Sequence, residues 1–208
     1  MELRILKPAF APSAANQENR QAIRNQIRIA RRAIPAEAQK RVAQEAASRL
    51  MDIIYQRQAK HVALYLTSDG ELDTQPLIET LWQAGINVYL PRLHPFSRGN
   101  LLFFKYHPTS HLIQNRLKIW EPKLNIIEMI LPQELDVIIT PLVAFDEQGN
   151  RMGMGGGYYD RCLNDWQLRG KPYPIGYAHD CQRVAALPTE HWDVPLPLIV
   201  TPSATHSA

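Results

Sequence analysis

Cysteine is scarce in this chain: Cys162 and Cys181 are the whole supply in 208 residues, and neither has a short-spaced partner. That excludes a disulfide framework and a cysteine-based metal motif, and it suits a reducing compartment in which both are ordinary buried or half-buried thiols. Long apolar runs are missing as well. Glu2, Arg4 and Lys7 interrupt the stretch Met1–Asn16, so it fits neither a secretory signal nor a membrane span. It reads as a loose extension over residues 1–16, preceding a single domain over 17–208 in a cytoplasmic protein. There is no internal repeat and no low-complexity tract, and the sixteen prolines are scattered, mostly at element ends. Nor does the chain show a Ser/His/Asp or Cys/His constellation, which leaves covalent catalysis by such a nucleophile without a candidate.

What is present is enough for one substantial core, since 45% of the 208 residues are hydrophobic. The charge is modest but uneven. Residues 1–60 carry twelve Lys/Arg against five Asp/Glu, a local +7, and the remainder sums to −4. The basic end calls for an anion, and charge alone does not choose among nucleic acid, an acidic membrane and a nucleotide. From Gln17 the pattern is helical. Ile23, Ile27, Ala30 and Ile34 recur on one face while Arg20, Arg24, Arg28 and Arg31 occupy another strip. Pro35 separates this helix from a second over Ala36–Tyr55, with Val42, Ala46, Leu50 and Ile53 inward.

His61–Leu66 is a short run of strand formers, followed by the polar turn Thr67-Ser68-Asp69-Gly70, a helix from about Thr74 to Ala84 closed by Gly85, and a strand over Ile86–Leu90. Strand, helix and strand within ~30 residues make a right-handed βαβ unit, so a parallel sheet follows. Further strands are expected at Leu101–Tyr106, Val137–Thr140, Pro174–Ala178 and Leu198–Thr201. The expected fold is α/β: one domain with an open, mainly parallel, Rossmann-like sheet and helices on its faces. In such sheets ligands bind beyond the carboxyl ends of the strands.

Five of the ten glycines fall between Gly149 and Gly157, in a segment between the strand VIIT and a helix beginning near Tyr158. A glycine costs roughly 0.5–1 kcal/mol relative to alanine in regular structure, so a cluster implies positive-φ turns or close backbone approach to a ligand. Bare N–H groups leading into a helix start can cradle an anion. The pattern is not a Walker A loop, because no Gly-Lys-Ser/Thr follows, nor a dinucleotide fingerprint, because it lies late and lacks the acidic partner. A mobile surface loop is the bland alternative, and Tyr158-Tyr159-Asp160-Arg161 directly behind the glycines weighs against it. Asp160 has its own bland reading as a cap or dipole partner.

The run G-N-R-M-G-M-G-G-G-Y-Y-D-R closely resembles the signature of the 5-formyltetrahydrofolate cyclo-ligases, particularly their enterobacterial members. L-Y-L-T-S-D-G-E-L-D-T, Y-L-P-R, L-K-I-W-E-P, I-T-P-L-V-A-F-D and G-Y-A-H-D-C-Q extend the resemblance from Arg20 to Thr201. It implies an enzyme that uses ATP to close 5-formyltetrahydrofolate to 5,10-methenyltetrahydrofolate, with ADP and phosphate as coproducts. It places ATP on Arg20 and Arg24, whose four-residue spacing puts both guanidinium groups on one helix face, and on Arg151, Gly153, Met154, Gly155, Gly156, Gly157, Tyr158 and Tyr159. It places the folate on Leu66, Glu71 and Trp120 and on the loop Met154–Tyr158, and Mg²⁺ on Asp160 and Asp193. Pro197 stands where relatives often have a further aspartate. Met154 and Gly156 stand where some relatives are basic, which shifts charge neutralisation to Arg151, Arg24 and the metal. Arg28, Arg31 and Arg32 are expected to form a solvated basic face. Lys118 and Lys123 flank Trp120 and are candidates for the glutamate tail of a substrate that is mono- or polyglutamylated. The competing class is a non-catalytic module: a folate-storing protein, or an RNA-binding domain using the basic helix, which lacks interleaved aromatics. The expected partners are the folate and ATP, with no nucleic acid and no membrane. Nothing in the sequence sets the oligomeric state, and a monomer is the simplest expectation.

Overall fold

The computed structural model describes residues 14–208. The expected extension lies mostly outside them, and the first helix already includes Ala14–Asn16. Among the described residues twelve strands and five α-helices follow in the order α1 (Ala14–Arg32), α2 (Ala36–Gln56), β1 (His61–Ala63), α3 (Gln75–Gln83), β2 (Asn87–Leu93), β3 (Leu101–Lys105), β4 (Leu112–Gln114), β5 (Trp120–Pro122), β6 (Met129–Ile130), β7 (Val137–Thr140), β8 (Ala144–Phe145), β9 (Arg151–Met152), α4 (Tyr158–Leu163), α5 (Trp166–Arg169), β10 (Tyr173–Tyr177), β11 (Leu198–Val200) and β12 (Thr205–Ser207). Eight strands form one sheet in the order β12-β11-β10-β7-β1-β2-β3-β6. The five central strands, β11 to β2, are parallel throughout, and β12, β3 and β6 are antiparallel at the two edges. This is the expected α/β sheet, and β1-α3-β2 is its βαβ unit, with Val62 opposite Val88.

Both faces of the sheet are covered, and period-2 alternation divides each strand between them. Val62, Val88, Leu90, Val137, Ile139, Ile175, Tyr177 and Val200 meet Ala46, Leu50 and Ile54 of α2 and Leu77, Ile78 and Leu81 of α3. Ala63, Tyr89, Ile138 and Ile199 point the other way, onto Leu142, Leu196 and Leu163 of α4. Strands buried on both sides need continuous apolar runs, which is why VIIT carries no polar alternation.

Strand β1 is shorter than the run His61–Leu66. Leu64 still donates its N–H to Tyr89 O, but the chain then leaves the ladder for a polar turn in which Thr74 Oγ1 donates to Tyr65 O at 2.7 Å and Thr67 Oγ1 accepts from Thr74 N. Strand β2 is longer than expected because β3 pairs with it as far as Leu93. The β4–β5 and β8–β9 hairpins, β6 and β12 have no counterpart in the sequence reading, since two or three residues cannot display a period.

Helix α1 corrects the simple two-faced picture. Its apolar residues Ile23 and Ile27 pack on Val143, Ala144, Met152 and Leu187, over the β8–β9 hairpin. The cationic strip is not turned to solvent. Arg20, Arg24, Arg28 and Arg31 are all half-buried or buried, so the helix is embedded on two sides.

Candidate functional site

One cavity of about 730 Å³ opens beyond the carboxyl ends of β1 and β7 and beside β2, between α1, the glycine segment and the β4–β5 hairpin. That volume is in the range of small-molecule sites. Its walls include Arg20, Leu66, Glu71, Trp120, Arg151, Asp160 and Asp193 together with the whole of Gly153–Tyr159. Arg24 stands behind the loop and donates from Nε to Gly153 O at 2.9 Å. The residues expected to hold ATP, the folate ring and the metal are therefore gathered around one space, whereas Lys118 and Lys123 do not line it.

The glycine segment divides into two parts with different work. Gly149, with φ +74°, belongs to the β8–β9 turn, where Asp146 accepts from the N–H groups of Gln148 and Asn150; a Cβ there would lie 2.2 Å from Leu196 O. The part facing the cavity begins at Gly153. Gly155 takes φ +96°, Gly157 takes φ +63° just before α4, and a Cβ on Gly156 would meet the Tyr158 ring at 2.6 Å. The loop is held from outside as well, by Arg24 on Gly153 O and by Arg161 Nη1 on Gly156 O at 2.8 Å. A fixed glycine ribbon along a cavity wall offers backbone N–H groups and lets a ligand approach closely.

Each candidate metal carboxylate is paired with an arginine. Asp160 Oδ1 accepts from Arg151 Nη2 at 2.7 Å and from Val194 N at 3.2 Å. Asp193 accepts from Arg20 Nη1 at 2.7 Å and from Glu190 N at 2.9 Å. Because Val194 directly follows Asp193, this contact brings the Asp193–Val194 segment to Asp160 across 33 positions of chain, and both aspartates line the cavity. Asp160 is not the N-cap of α4, which is Gly157, but it lies in the first turn, where it also suits the helix dipole. Asp193 is no ordinary surface carboxylate either: its side chain is 11% exposed. Burial and the neighbouring Arg20 lower the Arg24 pKa, with Asp193 opposing them. Among the described residues no three His, Cys, Asp or Glu side chains cluster as a metal cage. Two hard carboxylates do fit a Mg²⁺ ion whose other ligands are phosphate oxygens and water.

At the other end of α1, Arg28, Arg31 and Arg32 converge on Asp69; Arg31 is buried and Arg28 half-buried, which corrects the solvated-face expectation for them, while Arg32 stays exposed. Arg28 Nε and Arg31 Nη2 each reach Asp69 Oδ2 at 2.7 Å, and Arg32 Nε reaches Oδ1 at 2.6 Å. Burial pushes the Asp69 pKa up, but the three arginine hydrogen bonds outweigh it and hold the group at about 2. The reason is electrostatic: one carboxylate accepts what three guanidinium groups offer, which pins the turn after β1 against α1. Two residues on, Glu71 lies in the cavity wall. Burial raises its pKa to about 7, against the lowering influence of Arg31 and of the Ser68 N–H that donates to it.

The β4–β5 hairpin carries Trp120 to the cavity, where it is 52% exposed and so available to a planar ligand rather than spent on core packing. It is anchored by Glu121, which is buried, pairs with Arg92 at 3.1 Å and accepts from Leu93 N and from Asn115 Nδ2. Arg92 and Glu121 belong to the Y-L-P-R and W-E-P runs, yet neither run by itself signals that it is half of an ion pair. Cys162 is half-buried, with its thiol pushed up to about 12 by burial, whereas Cys181 is exposed. Lys123 borders a second, smaller hollow beside His107 and His111, away from the main cavity.

Known proteins resemble this chain over most of its length. A family model described as the 5-formyltetrahydrofolate cyclo-ligase family matches residues 16–202. The chain is 60% identical to the 5-formyltetrahydrofolate cyclo-ligase of Escherichia coli K12 over 85% of its own length and 97% of that protein. It is 50% identical to the Haemophilus influenzae protein of that name, over 87% and 96%. Among solved structures, the 5,10-methenyltetrahydrofolate synthetase of Aquifex aeolicus superposes with a TM-score of 0.76 at 29% identity, covering 90% of this chain and 92% of that one. The Mycoplasma pneumoniae synthetase gives 0.70 at 26%, covering 88% and 99%. With its sheet, its glycine ribbon and its arginine-paired aspartates, the chain belongs to the 5-formyltetrahydrofolate cyclo-ligase family.

Proposed function

We propose that this cavity converts 5-formyltetrahydrofolate to 5,10-methenyltetrahydrofolate with cleavage of ATP to ADP and phosphate. The observation that carries the reading is the course of α1. Arg20 and Arg24 engage Asp193 and the glycine ribbon, Arg28 and Arg31 engage the Asp69–Glu71 turn, and all but Arg24 line one cavity. Eleven residues of helix span roughly 16 Å, which separates a nucleotide end from a folate end while leaving both in one space.

At the nucleotide end, Arg20, Arg24, Arg151, the ribbon Gly153–Gly157 and Tyr158 and Tyr159 hold the triphosphate. Four of these groups are already fixed by hydrogen bonds, so little ordering is left for binding. Asp160 and Asp193 hold magnesium there, and a bound Mg²⁺ would supply charge neutralisation at the phosphate oxygens. At the folate end, Leu66 and the ribbon Met154–Tyr158 pack the ring system, Trp120 offers it an aromatic face, and Glu71 accepts from the amino and ring N–H donors of the pterin.

The formyl oxygen attacks the γ-phosphorus and ADP leaves, giving an imidate phosphate at N5. N10 then attacks the activated carbon and loses its proton; expulsion of phosphate completes the methenyl bridge. No side-chain nucleophile is needed, so the protein's part is positioning and electrostatics. We place the reaction in the cytoplasm, where free thiols such as Cys162 and Cys181 persist. The test is formation of the methenyl absorbance band by purified protein with 5-formyltetrahydrofolate and Mg-ATP, each component omitted in turn. A band that forms without ATP, or none with all three, defeats the reading.

A further inference from the structure

Arg31 is almost fully buried, its side chain 1% exposed, in the wall of the cavity. Two of its three nitrogens are committed: Nε donates to Asp69 O at 2.8 Å and Nη2 to Asp69 Oδ2 at 2.7 Å. The third, Nη1, has no hydrogen-bond partner among the described residues and stands 4.0 Å from Glu71 Oε1, beyond hydrogen-bond reach. A buried charged donor left unpaired is costly, and buried polar groups are rarely left so without a reason. Because Asp69 grips the other two nitrogens, the planar fork cannot rotate to give Nη1 another partner. The donor is therefore held in place in the cavity wall, with the Glu71 carboxylate beside it.

We infer that Arg31 is a substrate-reading residue whose Nη1 donates to the 4-oxo group of the pterin while Glu71 accepts from the adjoining N–H donors. The inference rests on the assignment of Glu71 to the pterin. An acceptor and a donor fixed side by side match a 2-amino-4-oxo ring, which presents N–H donors next to a carbonyl oxygen. They mismatch a 2,4-diamino ring, whose 4-amino group would set N–H against N–H. A site built to hydrogen-bond one ligand discriminates against the analogue that leaves its buried groups unpaired. The phosphates of ATP are the other acceptors in the cavity. Arg24, on the glycine ribbon, lies seven residues back along α1, or roughly 10 Å, and this distance favours the folate as the partner of Nη1.

The experiment compares equilibrium binding of 5-formyltetrahydrofolate and its 4-amino counterpart to wild type, Arg31→Gln, Arg31→Lys and Glu71→Gln, with the KM for Mg-ATP measured alongside. Arg31→Lys keeps a charge for Asp69 and serves if Arg31→Gln does not fold. Removing the donor should weaken the 4-oxo ligand by about tenfold or more, weaken the 4-amino ligand far less, and leave the KM for ATP unchanged. Equal loss for both folates would make Arg31 a structural clamp on Asp69, and a loss confined to ATP would make it a phosphate ligand; either overturns the inference. If Glu71→Gln leaves both folates unaffected, the pterin assignment itself fails. If it weakens both while the Arg31 variants do not discriminate, only the Arg31 inference fails.

Discussion

Asp160 and Asp193 are each half of an arginine pair, so a metal ion bound there would work alongside Arg151 and Arg20 rather than in their place. Asp160→Asn and Asp193→Asn should each reduce turnover and raise the magnesium concentration needed, and the double variant should lose less than the sum because both groups serve one ion. Strict additivity with an unchanged magnesium requirement would falsify the shared site; melting curves of the three variants guard against a folding defect. Arg24→Ala removes the clamp on Gly153 O and a cation from the nucleotide end. It should raise the KM for ATP by an amount worth about 1.5–3 kcal/mol, the range of hydrogen bonds to charged groups, with folate affinity nearly unchanged in a titration. Glu71 brings a pH dependence. Its carboxyl titrates at about 7 in the folded protein, and only the ionised form accepts from two N–H donors. Folate affinity should therefore rise as pH increases from 6 to 8, and Glu71→Gln should abolish that rise; an unaltered profile would remove Glu71 from the pterin. The sequence pointed to Arg24 through its place on a basic helix and to Asp160 through its place behind the glycines, but to Asp193 and Glu71 through motif resemblance alone. Spacing could not reveal that Asp69 would absorb three arginines, or that Arg92 and Glu121 would meet.

Among the elements, α1 and the glycine ribbon depend on each other. Arg24 reaches into the ribbon, and the helix is seated on the β8–β9 hairpin from which the ribbon departs. Gly155→Ala tests the ribbon's conformation. There is room for the methyl group, 3.6 Å from the nearest Arg24 nitrogen, but φ +96° is strained for an L-residue. A cost on the order of 1–3 kcal/mol is expected for such a backbone, relieved by local rearrangement of the loop. The melting temperature should therefore fall only slightly while the KM for ATP rises several-fold; normal ATP kinetics would show that the ribbon's path is not needed for nucleotide binding. The long helices and the four-residue strand VIIT were readable because burial writes a period of 3.6 or an unbroken apolar run over enough residues to be seen. The two hairpins were not. The strands of β8–β9 are two residues each, and the turn between them is set by Asp146 hydrogen bonds that include Leu187 N, 41 positions away.

For the whole molecule, two carboxyls beneath α1 set opposite pH dependences of stability. The Asp69 pKa falls from 3.8 to about 2 on folding, so its stabilisation is complete above 3.8 and is lost as pH drops toward 2. The Glu71 pKa rises from 4.5 to about 7, so the advantage of its protonated form is complete below 4.5 and is lost as pH rises through 7; that displacement corresponds to roughly 3 kcal/mol. The two contributions together are greatest near pH 4–5 and the Glu71 part declines toward pH 8, while His179 and His206, whose pKa values burial lowers, add stability as pH rises through the imidazole range. Glu71→Gln should flatten that decline, and thermal denaturation from pH 4 to 8 checks it. Sequence alone determined the sheet's parallel centre, the helices on its faces, the family and the residues to inspect, because each is written locally as a period, a turn or a contiguous motif. Only the tertiary structure decided which arginines face the cavity, which carboxylates they neutralise and which donors, Arg31 Nη1 and Arg151 Nε, are left without a hydrogen-bond partner among the described residues. Those outcomes depend on where α1 comes to rest against turns that are 38 to 173 positions away in the chain, and distance through space is not encoded in spacing along the sequence.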